Sequence, residues 1–447
     1  MRIKQISVTG LFGMFDHVIP LNMEDRITII YGLNGIGKTA ILRLLNGFFN
    51  SRYSELRSIP FKDFEIDFDN GNHIRVSKNF KQNLEEDIGD KRQYYLTFFF
   101  RKDVKSKVQS FTLNKLDSKV IPDFPVGMLD AIIPRLERAS ATKWRYLPTG
   151  ELLSFEDVVE RFSNFLPEGL RFQKQPEWLE NIQKVVSLRF IESQRLLNIS
   201  KNNNSQTDHT RTSMKPSVNT YADELAKSIQ IKLTEYGTLS QSLDRTFPVR
   251  VVQQQSSVDM TDEQLRQKLY ELEEKRLDLI NTGLLDKDEN PNFQIQETIN
   301  ESTKKVLSVY IEDVEKKLSI FNDLAQRIEV LKKIINQRFS HKEINISKEK
   351  GFTFTCHNHS LSPDNLSSGE QHELIIFYEL LFKVKPNSFI LIDEPEISLH
   401  VEWQVQFLKD LQEITQIAGI DVLMATHSPD IINGQWDLTV ELKGTQK

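Results

Sequence analysis

Arg26-Ile27-Thr28-Ile29-Ile30-Tyr31-Gly32-Leu33-Asn34-Gly35-Ile36-Gly37-Lys38-Thr39 is the stretch that decides the fold. Residues 26–31 form a short β-branched run of the kind that becomes a buried strand. Gly32 to Thr39 fit the pattern G-x-x-x-x-G-K-[ST], and Ile41, Leu42, Leu44 and Leu45 continue as a helix. Glycines let such a loop curl with its N–H groups inward, a nest for phosphate oxygens at the positive end of a helix. Lys38 supplies a mobile charge for the outer phosphates, and Thr39 a hydroxyl for Mg²⁺. Asn34, Gly35, Gly37, Lys38 and Thr39 are therefore the candidate phosphate-binding residues. A glycine-containing turn can match the pattern by chance. The strand before it and the helix after it argue otherwise.

A second apolar run, Ser388-Phe389-Ile390-Leu391-Ile392, ends in Asp393-Glu394. Laid parallel to the first strand, it would bring Asp393 to the Mg²⁺ shell and leave Glu394 to polarise an attacking water as general base. Alone, two acids after a hydrophobic run are as readily an ordinary strand-end turn. Upstream lies Asn365-Leu366-Ser367-Ser368-Gly369-Glu370-Gln371, followed by a helical run from Glu373 to Phe382.

With these residues the sequence resembles the ABC ATPase superfamily, in its SMC and RecF-like branch. Leu366-Ser367-Ser368-Gly369-Glu370 looks like the family signature, with Ser368 where glycine is commoner. The resemblance implies that Ser367 and Gly369 contact ATP held by a second copy, so the site closes only in an oligomer. Pro395-Glu396-Ile397-Ser398-Leu399-His400 is similar to the D-loop, with Ser398 near the dimer interface. Ala425-Thr426-His427-Ser428-Pro429, after the apolar run Asp421 to Met424, is similar to the switch-histidine motif and places His427 on the γ-phosphate. Gln194 is the Q-loop candidate, for Mg²⁺ and for water, with Arg195 as a competitor for a phosphate contact. The implied cofactors are ATP and Mg²⁺, the metal held by Thr39, Asp393 and Gln194, with Glu394, His427 and Gln194 as the catalytic set.

The expected fold class is α/β: a P-loop nucleotide-binding domain of the ABC type, in two lobes with mixed sheet and a large helical insertion. Lobe I is expected over residues 1–116, a mainly helical insertion over 117–255, a helical arm over 256–345 and lobe II over 346–447. Thr261 with Gln264 resembles a capping box. Leu265, Leu269, Leu272 and Leu279, then Ile311, Val314, Leu318, Phe321, Ala325 and Ile328, keep a 4-3 rhythm. Joined by a turn at Asp286 to Pro291, these helices are expected to form an antiparallel coiled hairpin, each arm roughly 30–60 Å long. A pair of ordinary core helices fits the same rhythm. Residues 201–220 are nearly devoid of apolar side chains and read as a loop.

Composition narrows the classes. A net charge of −6 does not favour general nucleic-acid binding, although a local basic face is compatible with it. The one cysteine, Cys356, excludes an intramolecular disulfide framework and fits a reducing cytoplasm. No apolar run reaches membrane-spanning length, and the N-terminus carries no signal-peptide pattern. Cys356-His357-Asn358-His359 suggests zinc, but no second ligand pair stands at metal spacing, which favours a loop. Arg245 and Arg250 could face a neighbour, or simply lie on a helix surface.

Leu391 to His400 and Leu366 to His372 look typical of OLD-related stand-alone ATPases of bacterial anti-phage defence, such as the ATPase subunits of the PARIS and Septu systems. That resemblance implies a homo-oligomer, from a dimer up to a hexamer, that holds a separate effector nuclease of TOPRIM or HNH type and answers a phage-encoded trigger. Only Asp430 to Lys447 follow the switch motif, so a nuclease is expected on another polypeptide. The alternative is a RecF-like DNA-maintenance ATPase that clamps duplex DNA. A third reading is a housekeeping ATPase with robust turnover on its own.

Overall fold

The runs at 27–30, 389–392 and 422–425 are buried throughout, as strands covered on both faces must be. The computed structural model describes residues 1–80, 94–103, 105–113, 128–140, 142–147, 150–162, 165, 175–192, 218–253, 260–286, 300–397 and 399–444. The chain divides into two units, Met1–Lys215 with Val384–Lys447, and Pro216–Lys383. The segment expected as lobe II thus contributes to both.

In the first unit a five-stranded, all-parallel sheet has the order Leu188–Glu192, Phe389–Asp393, Asp421–Ala425, Ile27–Tyr31, Thr439–Glu441. Its register sets Asp393 beside Glu192 on one side and Ala425 on the other, and Ala425 beside Ile30. The chain therefore leaves the sheet for Gly32, Glu394 and Thr426 at one edge, the carboxyl ends of neighbouring strands. In open parallel sheets that edge is where ligands bind.

A six-stranded antiparallel sheet has the order Phe15–Pro20, Ile3–Leu11, Asp63–Phe68, His73–Phe80, Tyr94–Arg101, Gln109–Leu113. Its strands alternate: Phe64, Ile66 and Phe68 point inward with Ile74, Val76, Leu96 and Phe98. Between the sheets runs the helix Lys38–Phe49, buried nearly all round at Ile41, Leu42, Leu44, Leu45, Phe48 and Phe49. One core cluster joins this helix to Ile6, Val8 and Phe64 of one sheet and to Leu391, Leu423 and Ala425 of the other. Each fully buried aliphatic or aromatic side chain there contributes about 1.5–3 kcal/mol. The phosphate loop is thus anchored from both sides.

Where the sequence reads as continuously helical from about Ile121, the structure has the short strands Leu136–Arg138, Lys143–Tyr146 and Glu151–Ser154. They fold with the helix Phe155–Arg161 around Trp144, Leu153, Val158 and Val159. Runs of three or four residues are too short to show a period of two, which is why this sheet escapes a reading by periodicity.

The second unit holds the helices Val218–Gln253, Asp262–Asn281, Glu301–Ser319 and Asn322–Arg338, the three-stranded sheet Lys342–Ser347, Gly351–Cys356, His359–Leu361, and the helix Ser368–Tyr378. Thr261 and Gln264 do form the capping box, each side chain bonded to the other's backbone N–H. The pairing of the helices differs from the expectation. Lys304 pairs with Asp262 at 2.8 Å and Lys268 with Glu315 at 3.1 Å, so Asp262–Asn281 and Glu301–Ser319 run in the same direction. The antiparallel partner of Glu301–Ser319 is Val218–Gln253, through Arg250 to Asp313, Lys317 to Asp244 and Tyr236 against Phe321. A leucine rhythm marks which face is buried but not which helix covers it or in which sense. The turn expected at Asp286 to Pro291 falls mostly outside the described residues. Cys356-His357-Asn358-His359 is a hairpin turn, with φ of 49° at His357 and 65° at Asn358 and Cys356 paired to His359.

No helix among the described residues is long and apolar enough to cross a membrane.

Candidate nucleotide site

The site starts from a loop that only glycine can build. Gly37 caps the helix Lys38–Phe49 with φ of 104°, and a Cβ there would lie 2.3 Å from Leu11 Cδ2. Gly32 has φ of 153°, and its Cβ would meet the Leu442 carbonyl oxygen at 2.7 Å. Buried His17 supports the loop from beneath, its Nε2 donating to the Ile36 carbonyl at 3.0 Å. Leu33 and Asn34 stand exposed at the tip.

Lys38 is buried, and its ammonium donates to the carbonyls of Gly32 at 2.8 Å and Leu33 at 3.2 Å, and to Nδ1 of His427 at 3.3 Å. Burial holds it below the ordinary lysine range, while the carboxylates of Glu394, Asp393 and Glu396 pull the other way. Thr39 Oγ1 donates to Asp393 Oδ1 at 3.1 Å, although 354 positions separate them in the chain. The hydroxyl from the loop and the carboxylate from the acidic strand are thus neighbours. This pair of hard oxygen donors suits Mg²⁺, which takes one or two carboxylates and completes its shell with phosphate and water.

Glu394 follows directly and adopts a left-handed backbone with φ of 46°. For a residue other than glycine such a conformation costs about 1–3 kcal/mol and tends to occur where function demands it. Its N–H donates to the Ala425 carbonyl at 2.8 Å, and its Oε1 lies 3.4 Å from His427 Nε2. The histidine therefore stands between Lys38 and Glu394. An ammonium can only donate, so Nδ1 accepts and Nε2 carries the proton toward Glu394.

These residues converge from the three stretches of sequence that suggested them, and all lie in the first unit. Over residues 1–432 the sequence matches the AAA ATPase domain family. The chain belongs to that family. No curated protein sequence matches it. Similar solved structures include the Smc head domain with an extended coiled coil bound to the C-terminal domain of ScpA, from Pyrococcus furiosus. It is 11% identical, with 99% of this chain and 94% of that one covered and a TM-score of 0.35. The SMC head domain from Thermotoga maritima is 12% identical, with 97% and 91% covered and a TM-score of 0.32.

In this AAA ATPase chain the second unit carries Ser367 and Gly369. Ser367 caps the helix Ser368–Tyr378 in a capping box with Glu370, whose carboxylate accepts from the Ser367 N–H at 2.8 Å. Lys342 donates to both oxygens of Glu370 at 2.7 Å. A Cβ on Gly369 would meet nothing within 4 Å, so the backbone there is open to an approaching group. Behind it, Arg338 pairs with buried Glu373 and lies over the Phe377 ring. Gln194 and Ser398 lie outside the described residues. Among the described residues no group of three or more His, Cys, Asp or Glu side chains is arranged to hold a metal on its own.

Sequence reasoning missed His17 and Lys342. His17 had a signal, since it takes the inward phase of its strand with Phe15 and Ile19.

Proposed function

We propose that this chain binds ATP with Mg²⁺ in the first unit and hydrolyses it when a second copy presents its Ser367–Gly369 edge. The observation that carries the reading is the meeting of Lys38 and Thr39 with His427 and Asp393 at the carboxyl edge of one parallel sheet. Lys38 exchanges its loop carbonyls for phosphate oxygens, whose negative charge a partly desolvated ammonium meets strongly. Bound Mg²⁺, held by Thr39 and Asp393, would neutralise charge on the phosphate oxygens.

Glu394 accepts a proton from the attacking water. The water oxygen bonds to the γ-phosphorus as the bond to the β–γ bridging oxygen breaks, leaving ADP and phosphate. His427, already facing both Lys38 and Glu394, donates toward the charge that develops between them. Ser367 and Gly369 of the second copy add an anion site at a helix N-terminus, so ATP cross-links two protomers and shifts association by mass action.

At the level of the cell, the resemblance at Leu391–His400 and Leu366–His372 supports a sensor and scaffold for a separate nuclease in anti-phage defence. The test is purification of the chain with any protein encoded beside it, followed by mass measurement with and without ATP and by phage plating. A K38A variant should lose ATP binding, ATP-dependent assembly and protection together. Unchanged protection with K38A sinks the defence role, strong DNA stimulation of turnover points to the clamp, and fast turnover without partners to a housekeeping ATPase.

A further inference from the structure

The loop that carries His427 is tied to the loop after Asp393 by side chains with no role assigned above. The His427 N–H donates to Glu396 Oε1 at 2.7 Å. Ser428 Oγ donates to Gln404 Oε1 at 2.9 Å. The Gln404 amide nitrogen in turn donates to the carbonyls of Glu396 at 3.2 Å and Leu399 at 3.3 Å. Gln404 is buried on the helix Val401–Ala418, so a rigid element holds the arrangement. Glu396 Oε2 is buried and has no hydrogen-bond partner among the described residues, a desolvation cost that a purely solvated loop residue would not carry.

We propose that Glu396 and Gln404 form a clasp that sets where the His427 imidazole stands, and that both are positioning residues for ATP hydrolysis. The logic is geometric. The imidazole meets Lys38 and Glu394 at 3.3 Å and 3.4 Å, near the limit of hydrogen bonding. A shift of the loop by a fraction of an ångström therefore breaks one contact or the other. Backbone N–H and side-chain hydroxyl are gripped at consecutive residues, His427 and Ser428, which removes both translation and twist. The Glu396 grip acts on the backbone, so it survives any change in the ring itself. Among the described residues neither Glu396 nor Gln404 hydrogen-bonds to the phosphate loop, so losing the clasp should leave nucleotide affinity nearly unchanged and slow the chemical step.

This inference rests on reading the site as one that hydrolyses ATP, and the experiment keeps the two apart. ATP affinity, kcat, KM and melting temperature are measured for wild type, E396A, E396Q, E396D, Q404L, H427A and the double variant E396A/H427A. If the clasp positions His427, E396A and Q404L lower kcat about 10- to 100-fold with KM and ATP affinity nearly unchanged. E396Q keeps an acceptor for the His427 N–H and should recover most of the rate. E396D, one methylene short, should not. E396A adds little to H427A, because both act through one ring.

Wild-type kcat in E396A or E396D overturns the clasp, as do equal losses in E396Q and E396A, which would assign a role to the charge instead. Additive losses in the double variant also overturn it. Absence of ATP binding or turnover in the wild type overturns the underlying reading instead.

Discussion

Lys38 and His427 are 389 positions apart in the chain, and the lysine ammonium donates to the histidine Nδ1 at 3.3 Å. The contact makes the phosphate loop and the strand end at Ala425 one electrostatic unit. Removing the ammonium leaves the loop carbonyls of Gly32 and Leu33 without that donor and takes away the charge proposed to meet phosphate. K38A is therefore expected to weaken ATP binding by about 100-fold or more, the scale of losing a charge-assisted hydrogen bond to phosphate. Titration calorimetry checks this. H427A keeps the loop intact, so it should bind ATP within a few-fold of wild type and lose turnover instead.

Glu394 and Asp393 are adjacent, yet their substitutions should differ in kind. Asp393 faces Thr39 at 3.1 Å, in the part of the site suited to Mg²⁺. D393N should raise the Mg²⁺ concentration needed for half-maximal ATP binding. Glu394 follows Asp393 at the strand end and faces His427. E394Q should bind ATP as wild type does, lose turnover by about 100- to 10,000-fold, and accumulate as an ATP-bound oligomer. Mass measurement and steady-state phosphate release distinguish the two. Equal loss of binding in both variants would contradict the roles assigned to them.

That Lys38, Thr39, Asp393 and His427 would meet in one candidate site could be read in the sequence, because the proposed phosphate chemistry asks for particular residues at fixed local spacing. Gly32 to Thr39 must be contiguous to curl, and Asp393 must end a strand to reach Thr39. What could not be read is whatever depends on pairing across the fold. The order of the parallel sheet, with Asp421–Ala425 between Phe389–Asp393 and Ile27–Tyr31, leaves no local mark. Gln404 is invisible for the same reason, since a buried glutamine in a helix has no pattern of its own. That residues 218–253 form one 36-residue helix within the expected helical insertion has no local mark either, because Pro248 lacks the N–H that a helix interior needs. Arg250 reaches back to the Leu243 carbonyl nearby and supplies a donor to that stretch of helix.

The helix Ser368–Tyr378 should loosen in acid in two stages. Burial holds the His372 imidazole below the ordinary histidine range. Its contribution is complete above the unfolded value, about 6.5, and is lost as pH falls below it. For Glu370, burial disfavours the charge, but the bonds from Lys342 and Ser367 prevail and hold its carboxyl below the usual range. That contribution lies above about 4.3 and disappears as pH falls through the lower folded value. Hydrogen exchange of residues 366–378 should therefore accelerate first below about pH 6.5 and again below about pH 4.3. H372Q should flatten the first stage and leave the second. An exchange rate independent of pH, once corrected for intrinsic chemistry, would contradict both assignments.

The direction of the helices in the second unit has its own test. Asp313 is buried, and both of its carboxylate oxygens accept from Arg250 on Val218–Gln253. D313A leaves the guanidinium without that partner and should cost about 1–3 kcal/mol of stability by chemical denaturation. The exchanged pair, R250D with D313R, restores opposite charges across the same antiparallel contact and should recover part of the loss. Lys268 and Glu315 are both well exposed, so E315A is expected to change stability by under about 1 kcal/mol. Their value is as a ruler. Cysteines at 268 and 315 should join through a short cross-linker, whereas an antiparallel pairing of Asp262–Asn281 with Glu301–Ser319 would hold them apart. With Lys304 meeting Asp262, position 315 stands 11 residues along its helix and position 268 stands 6 along the other, both in the same sense. Reversing either helix puts roughly 25 Å between the two sites at 1.5 Å per residue, beyond a short linker's reach. Efficient joining in the folded protein therefore requires the parallel arrangement.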